Sequence, residues 1–387
     1  MIIGAFLFMV YLPLIMTDFS TNTEWSSAEK RRLAELPALD LKPGTLASFP
    51  SRFEAYFNDH FGYRSLFIRQ YTRIMKKYFA RSPVPMVLIG KNNWLFFTFP
   101  NLIDDFVGAD PFTPEELETW RLNLENKHIW LAKHGIRYLF VVVPNKQTIY
   151  PEYLPDYLQK ERGQSRLQQL MAYLKTHSDV SILDLSGSLT EAKKRHRLYH
   201  LTDTHWNDNG AYVAYRAIMD RVGQWFPEVP FTQNRIVKTE SIVGKGGDLA
   251  GLLDMADTMN EERPVIRVQP TTCSAKIERD LADFSKTPAN LIKNKPFMTN
   301  CDTSKLRAVV FRDSFFEQLI PFIAEDFNQI DYIWKKYDHA IMIKLIAQQK
   351  PQIVIEEMLE RFLIHVRERY GGDNTISADP TAISMQH

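Results

Sequence analysis

The sequence predicts an α/β fold whose sheet is mainly parallel and carries helices on both faces. Ile136 to Val143 is an unbroken apolar run, the mark of a strand buried on both of its faces. Leu306 to Phe311 is a second such run. After it the pattern alternates: a helix from Phe315 to about Asp326, a strand Ile330 to Trp334, a helix Asp338 to Gln349 and a strand Ile353 to Ile355. Strands that alternate with helices imply parallel pairing, because each parallel connection must cross a face of the sheet and cover it.

The elements follow in order. Met1 to Thr17 is uncharged and rich in Ile, Leu, Phe and Met. It is shorter than the roughly 20 residues of a spanning helix, and lacks the basic start and small-residue cleavage site of a signal peptide. A buried core helix is the alternative. The hydrophilic stretch Asp18 to Lys30 that follows at once favours a membrane anchor, against which Lys30-Arg31-Arg32 weighs through the positive-inside rule. Residues 18–50 read as a polar connector, and Phe49 to Phe79 as helical, from the recurrence of Phe53, Tyr56, Phe57, Phe61, Tyr63 and Phe67. Met86–Ile89 and Trp94–Phe97, around Gly90-Lys91-Asn92-Asn93, predict a hairpin. Thr113-Pro114-Glu115-Glu116 is a capping box whose helix runs toward His134 and stops at Gly135. A helix near Ser165–Thr176, a strand Val180–Leu185 and a helix from about Asn209 to Phe226 come next. Residues 230–300 read as irregular, and the tail from Gly371 as polar and disordered. The expected layout is an anchor (1–17), a connector and helical region (18–80), an α/β domain (81–370) and the tail (371–387).

Composition excludes little. Lys and Arg number 47 against 46 Asp and Glu, a net charge of +1. With no basic patch interleaved with aromatics beyond chance, nucleic acid is not an expected partner. Two cysteines, Cys273 and Cys301, offer no zinc-binding pattern. They either form a disulfide, which export would permit and which would stabilise by roughly 3–4 kcal/mol, or remain buried thiols.

Chemistry concentrates in two segments. Thr202-Asp203-Thr204-His205-Trp206-Asn207 sets a carboxylate two residues from an imidazole. Side chains two apart in an extended loop point the same way, so Asp203 reaches one ring nitrogen of His205 and leaves the other free. Ser314 follows the strand Leu306–Phe311, and sites in open α/β sheets form beyond strand carboxyl ends. An acid, a base and a nucleophile are the minimum set for acyl transfer through a covalent serine. The bland alternatives are a helix cap at Asp313 or Ser314, a structural histidine, or a metal site at His200, Asp203 and His205. The last ranks lower because no further ligand clusters with them, so no metal or cofactor is expected. Candidate oxyanion or substrate contacts are the Ser314 N–H, the Asn145 side chain and Lys146 after strand Ile136–Val143, a Gly247 N–H, Trp206 and Arg312. An ordinary turn is the alternative for Asn145 and for Gly247.

With Gly210-Ala211, the Asp203-Thr204-His205-Trp206-Asn207 run resembles the signature of the AlgJ/AlgX-like proteins, alginate O-acetyltransferases of the SGNH-hydrolase superfamily. Ser27–Leu33, Phe57–Arg64, Gly90–Phe96, Val143–Lys146 with Tyr150-Pro151, Gly246–Leu249, Pro351–Glu356 and Glu360-Arg361 resemble other family blocks in the same order. The resemblance implies an SGNH-hydrolase-like fold and an enzyme that acetylates an exported polysaccharide in the cell envelope. Asp203, His205 and Ser314 fall on its triad positions, and Arg312 stands where the superfamily's serine block has Gly. It also implies a membrane-bound O-acyltransferase partner as acetyl supplier, with the anchor in the inner membrane and the catalytic domain outside it. A carbohydrate esterase or deacetylase uses the same residues, and a non-catalytic polysaccharide-binding scaffold would keep the same fold.

Overall fold

The computed structural model describes residues 2–17, 25–26, 31–40, 42–79, 81–99, 101–229, 236–269, 273, 276–279, 295–302 and 304–364. The expected disordered tail from Gly371 lies outside the described residues. At the centre is a seven-stranded sheet: β1 (Arg137–Val143), β2 (Ile182–Asp184), β3 (Ile277–Glu278), β4 (Phe297–Asn300), β5 (Arg307–Phe311), β6 (Gln329–Ile333) and β7 (Ile353–Leu359). Its spatial order is β2-β1-β7-β5-β6-β4-β3. The first five strands in that order pair in parallel. β4 and β3 add on antiparallel, so the sheet is mixed, with the parallel part carrying the site.

The period of two along each strand sorts its residues to two cores. Tyr138, Phe140 and Val142 of β1, with Val309 and Phe311 of β5, pack on one side. Leu139, Val141 and Val143, with Ala308 and Val310, pack on the other. The first side is covered by α4 (Pro114–Lys133), α5 (Arg166–His177) and α7 (His339–Gln349), the second by α6 (Asp208–Trp225) and the segment from Phe315 to Phe327. The Thr113 box forms, with Glu116 N–H donating to Thr113 Oγ1 and the Glu116 carboxylate accepting from Thr113 N–H. Ser165 and Gln168 form a second box at α5.

Three expectations change. The chain between Ser314 and Phe327 is not one helix: two 3₁₀ turns, Phe315–Leu319 and Ala324–Asp326, flank a single α-turn, Ile320–Ile323. Pro321, which has no N–H to give, lies inside it. The aromatic stretch is two helices, α2 (Pro43–His60) and α3 (Arg64–Ile74), broken at Phe61-Gly62-Tyr63 and followed by a π turn, Met75–Phe79; α2 starts within the expected connector. Residues 230–300 contain a long antiparallel hairpin, Ile236–Gly244 with Glu261–Val268. The N-terminal helix α1 (Ile2–Ile15) has 14 residues, about 21 Å against a hydrocarbon core of about 30 Å. Among the described residues, no helix is long and apolar enough to cross a membrane. Cys273 and Cys301, 28 residues apart, are joined by a disulfide.

Candidate active site

Ser314 sits just past the carboxyl end of β5, in a loop fixed by its neighbour. Asp313 accepts from the N–H of Phe315 (2.8 Å) through one oxygen and from the N–H of Leu359 (3.1 Å) through the other. Its own N–H donates to Glu357 (2.9 Å). Asp313 therefore makes the local turn and ties it to β7. Ser314 makes no side-chain cap, so its hydroxyl is free for another acceptor. That acceptor is His205 Nε2, 2.8 Å away and 109 residues earlier in the chain.

His205 is oriented from the other end of its ring. Nδ1 lies 2.7 Å from Asp203 Oδ1, which also accepts the His205 backbone N–H at 2.9 Å. These contacts require the tautomer in which Nδ1–H donates to Asp203 and Nε2 accepts from Ser314. Burial pulls the His205 pKa down, but the Asp203 hydrogen bond and charge outweigh it and leave it raised above the ordinary imidazole value. Burial likewise opposes ionisation of Asp203, yet His205 and the Asp248 N–H (3.0 Å to Oδ2) hold its carboxyl far below the usual range. The carboxylate is a permanent acceptor at neutral pH, and the imidazole is an enhanced base.

The Asp203 loop is held by groups the sequence suggested for other work. Lys146 is buried, and its ammonium donates to the carbonyls of Leu95 (2.6 Å), Leu201 (3.0 Å) and Asp203 (3.0 Å). In the ammonium form all three protons are used, so the side chain clamps the loop. Burial brings its pKa down to about 7. Gly247 donates its N–H to Thr202 Oγ1 (2.9 Å) and offers none to an oxyanion. A Cβ there would lie 2.4 Å from Asp203 Cβ and 2.5 Å from its Oδ2, which is why the position holds glycine. Trp206 is buried and donates Nε1–H to the Phe315 carbonyl (3.0 Å), joining the histidine loop to the serine loop. Arg312 pairs with Glu317 (2.9 Å), donates to the Asp313 carbonyl (3.2 Å) and lies over Trp334 (4.5 Å). Its backbone N–H is taken by Ile333 O (3.0 Å) and so is not an oxyanion donor.

Two donors stay available. The Ser314 N–H has no acceptor among the described residues. The buried Asn145 gives its backbone N–H to Glu360 (2.7 Å) and lines a cavity with Phe97, Leu102, Lys146, Gln147, Thr204, Phe315 and Arg361. Thr204 and Phe315, the chain neighbours of His205 and Ser314, bring the cavity next to that hydrogen-bonded pair. Arg361 was not singled out from sequence. It follows β7, stacks over Phe97 (5.1 Å) and Phe362 (5.2 Å), and has no ion pair among the described residues. Its position two residues past the end of β7, and the Glu360-Arg361 family block, were the available signals. Of the residues proposed for metal, His200 faces Glu261 (3.8 Å). Asp203, His205 and Asp248 offer ligand atoms within 4.8 Å of one another, but Asp203 accepts three N–H groups and Asp248 Oδ1 accepts the Thr204 N–H. These oxygens serve as acceptors of protein N–H groups, which suits a hydrogen-bonded relay better than a cation.

Ser314, His205 and Asp203 thus form one hydrogen-bonded line beyond the carboxyl edge of an α/β sheet, an arrangement that serine acyl-transfer enzymes of several folds share. Residues 87–292 match the family model described as "SGNH hydrolase-like domain, acetyltransferase AlgX". The match takes in more than half of the chain, Asp203 and His205 included, and the chain belongs to this family. It is 27% identical over 226 residues to the "Probable alginate O-acetylase AlgJ" of Pseudomonas aeruginosa, covering 58% of this chain and 55% of that protein. To the protein of the same description from Pseudomonas putida it is 27% identical, covering 52% and 49%. The chain thus spans about half the length of these curated relatives. Bacillus cereus PatB1 superposes with a TM-score of 0.52 at 16% identity, over 72% of this chain and 96% of that one, a likeness of fold.

Proposed function

We propose that the chain is an O-acetyltransferase that passes an acetyl group through Ser314 to a hydroxyl of an exported or cell-envelope polysaccharide. The observation that carries this reading is the line Ser314 Oγ, His205 Nε2, His205 Nδ1, Asp203 Oδ1, with steps of 2.8 and 2.7 Å. Family membership supports acetyl as the group moved.

In this reading Ser314 Oγ attacks the acetyl carbonyl while its proton passes to His205 Nε2. Asp203 stabilises the imidazolium that results. The negative oxygen faces the Ser314 N–H and the Asn145 amide, each such donor worth on the order of 3 kcal/mol. Collapse expels the donor's leaving oxygen, which takes the proton from His205 and leaves acetyl-Ser314. A sugar hydroxyl then attacks, giving its proton to His205, and the second collapse returns that proton to Ser314. Arg361, a cation without a carboxylate partner in the cavity wall, orients the acceptor.

The expected layout extends the proposal. Residues 81–370 form the acyltransferase domain. Met1–Thr17 attaches it to the inner membrane, with the catalytic part outside, and a membrane-bound O-acyltransferase supplies acetyl. Hydrolysis by water instead of a sugar is the competing fate of the acyl group. The experiment is release and transfer of acetate from p-nitrophenyl acetate, with and without acceptor glycan, by the native chain and by Ser314→Ala. Native protein should acetylate the glycan, and Ser314→Ala should lose roughly 10⁴–10⁶ in rate with its fold intact. Retained activity in the variant rejects the mechanism; acetate release unaffected by glycan makes the chain an esterase.

A further inference from the structure

The near-zero net charge conceals a regional excess. Residues 60–103 contain seven Lys or Arg and no Asp or Glu, so this stretch is basic because it lacks acidic residues. On α3 and its π turn, Phe67, Tyr71, Ile74 and Tyr78 recur at spacings of four, three and four, so they share one face. That face points outward: Tyr71 is 55% and Tyr78 69% exposed, whereas Thr72 on the opposite side is fully buried. The usual amphipathic arrangement is inverted, because the apolar stripe faces away from the domain. Arg73, Lys77 and Arg81 have no carboxylate partner among the described residues, whereas Lys76 lies half-buried on the Thr72 side. Arg69 on the inner side pairs with Asp254 (3.6 Å) and holds the helix on the domain. The turn before α3 also meets α1: the Gly62 N–H donates to the Pro13 carbonyl (3.0 Å) and to Thr17 Oγ1 (3.1 Å).

We propose that this face of α3 and the π turn docks on an anionic lipid bilayer. An exposed apolar stripe calls for a cover, and the charge beside it selects which. A second copy of the chain meeting it face to face would set unpaired cations against the same cations. A negatively charged headgroup layer takes both the aromatics, at interfacial depth, and the basic side chains. The inference deepens the membrane reading above but does not use α1 as an anchor, so the two fail separately.

The test is binding of the full chain to vesicles of phosphatidylcholine alone or mixed with phosphatidylglycerol, at low and high salt. An apolar α1 inserts without regard to headgroup charge; α3 does not. Binding to the anionic vesicles should be at least tenfold tighter and weaken with salt, each basic residue contributing about fivefold. R73E/K77E/R81E should abolish the headgroup preference. F67S/Y71S/Y78S should weaken binding to anionic vesicles while circular dichroism and esterase activity stay native. Equal binding to both vesicles, or a preference that survives charge reversal, overturns the proposal. So does an F67S/Y71S/Y78S variant that turns an oligomer into a monomer without changing vesicle binding.

Discussion

The strands β1 and β5 end on the same edge of the sheet and put polar residues there, yet those residues meet opposite fates. After β5, Asp313 takes over every local backbone duty and leaves Ser314 Oγ with one partner, the His205 imidazole. After β1, Lys146 gives all three of its protons to carbonyls and becomes scaffold. Position at a strand carboxyl end makes a residue available to a site. Whether it acts there depends on how its hydrogen-bonding capacity is already engaged.

This contrast can be broken at either strand. Ser314→Ala should cost roughly 10⁴–10⁶ in acetyl transfer without lowering thermal stability, because only a reacting atom is lost. Lys146→Met should do the reverse in kind. Three carbonyls lose their donor, so denaturant unfolding should show a loss of about 2–4 kcal/mol, with activity falling as the Asp203 loop loosens. A Lys146→Met protein that is fully stable but dead would instead make Lys146 part of the chemistry. A smaller effect is expected at Gly247→Ala, whose new methyl would push on the Asp203 carboxylate. It should lower kcat by about 10–100-fold, a loss of roughly 1–3 kcal/mol, and KM should hold.

The smallest effect is one of pH. His205 must be neutral to accept the serine proton, and its pKa is raised. The acid limb of kcat/KM should therefore lie above the ordinary imidazole value of about 6.5. Stability runs the other way. A group raised in the folded state contributes fully below its unfolded value, and the contribution is lost as pH rises through the folded one. Across this window the native chain should gain activity and lose a little stability, and His205→Gln should lose the stability trend. Asp203, depressed in the fold, contributes above the usual carboxylate value and loses its effect only in acid.

Much of this was legible in the residues. Continuous apolar runs revealed β1 and β5 because strands buried on both faces have no polar side to show. The Thr113 capping box placed the start of α4, and the helix read from Asp338 to Gln349 fell within a residue of α7. Asp203 and His205 were legible as a pair because they are two apart, whereas contact with Ser314 depends on chain closure over 109 residues. The hairpin Ile236–Gly244 with Glu261–Val268 was missed because its first strand is exposed along most of its length, so no apolar alternation marks it. Lys146, Trp206, Gly247 and Arg312, offered by the sequence as candidate contacts, have donors engaged by protein groups in the fold. Residue type states what a group can donate, and only the fold states to whom it already does.

The most direct test is mass spectrometry of the chain quenched during turnover of an activated acetyl ester. An acetyl group on the peptide carrying Ser314, present in native protein, enriched when acceptor glycan is withheld and missing in His205→Gln, is the predicted result. Steady turnover with Ser314 unmodified, or with the acetyl group on another residue, contradicts the account.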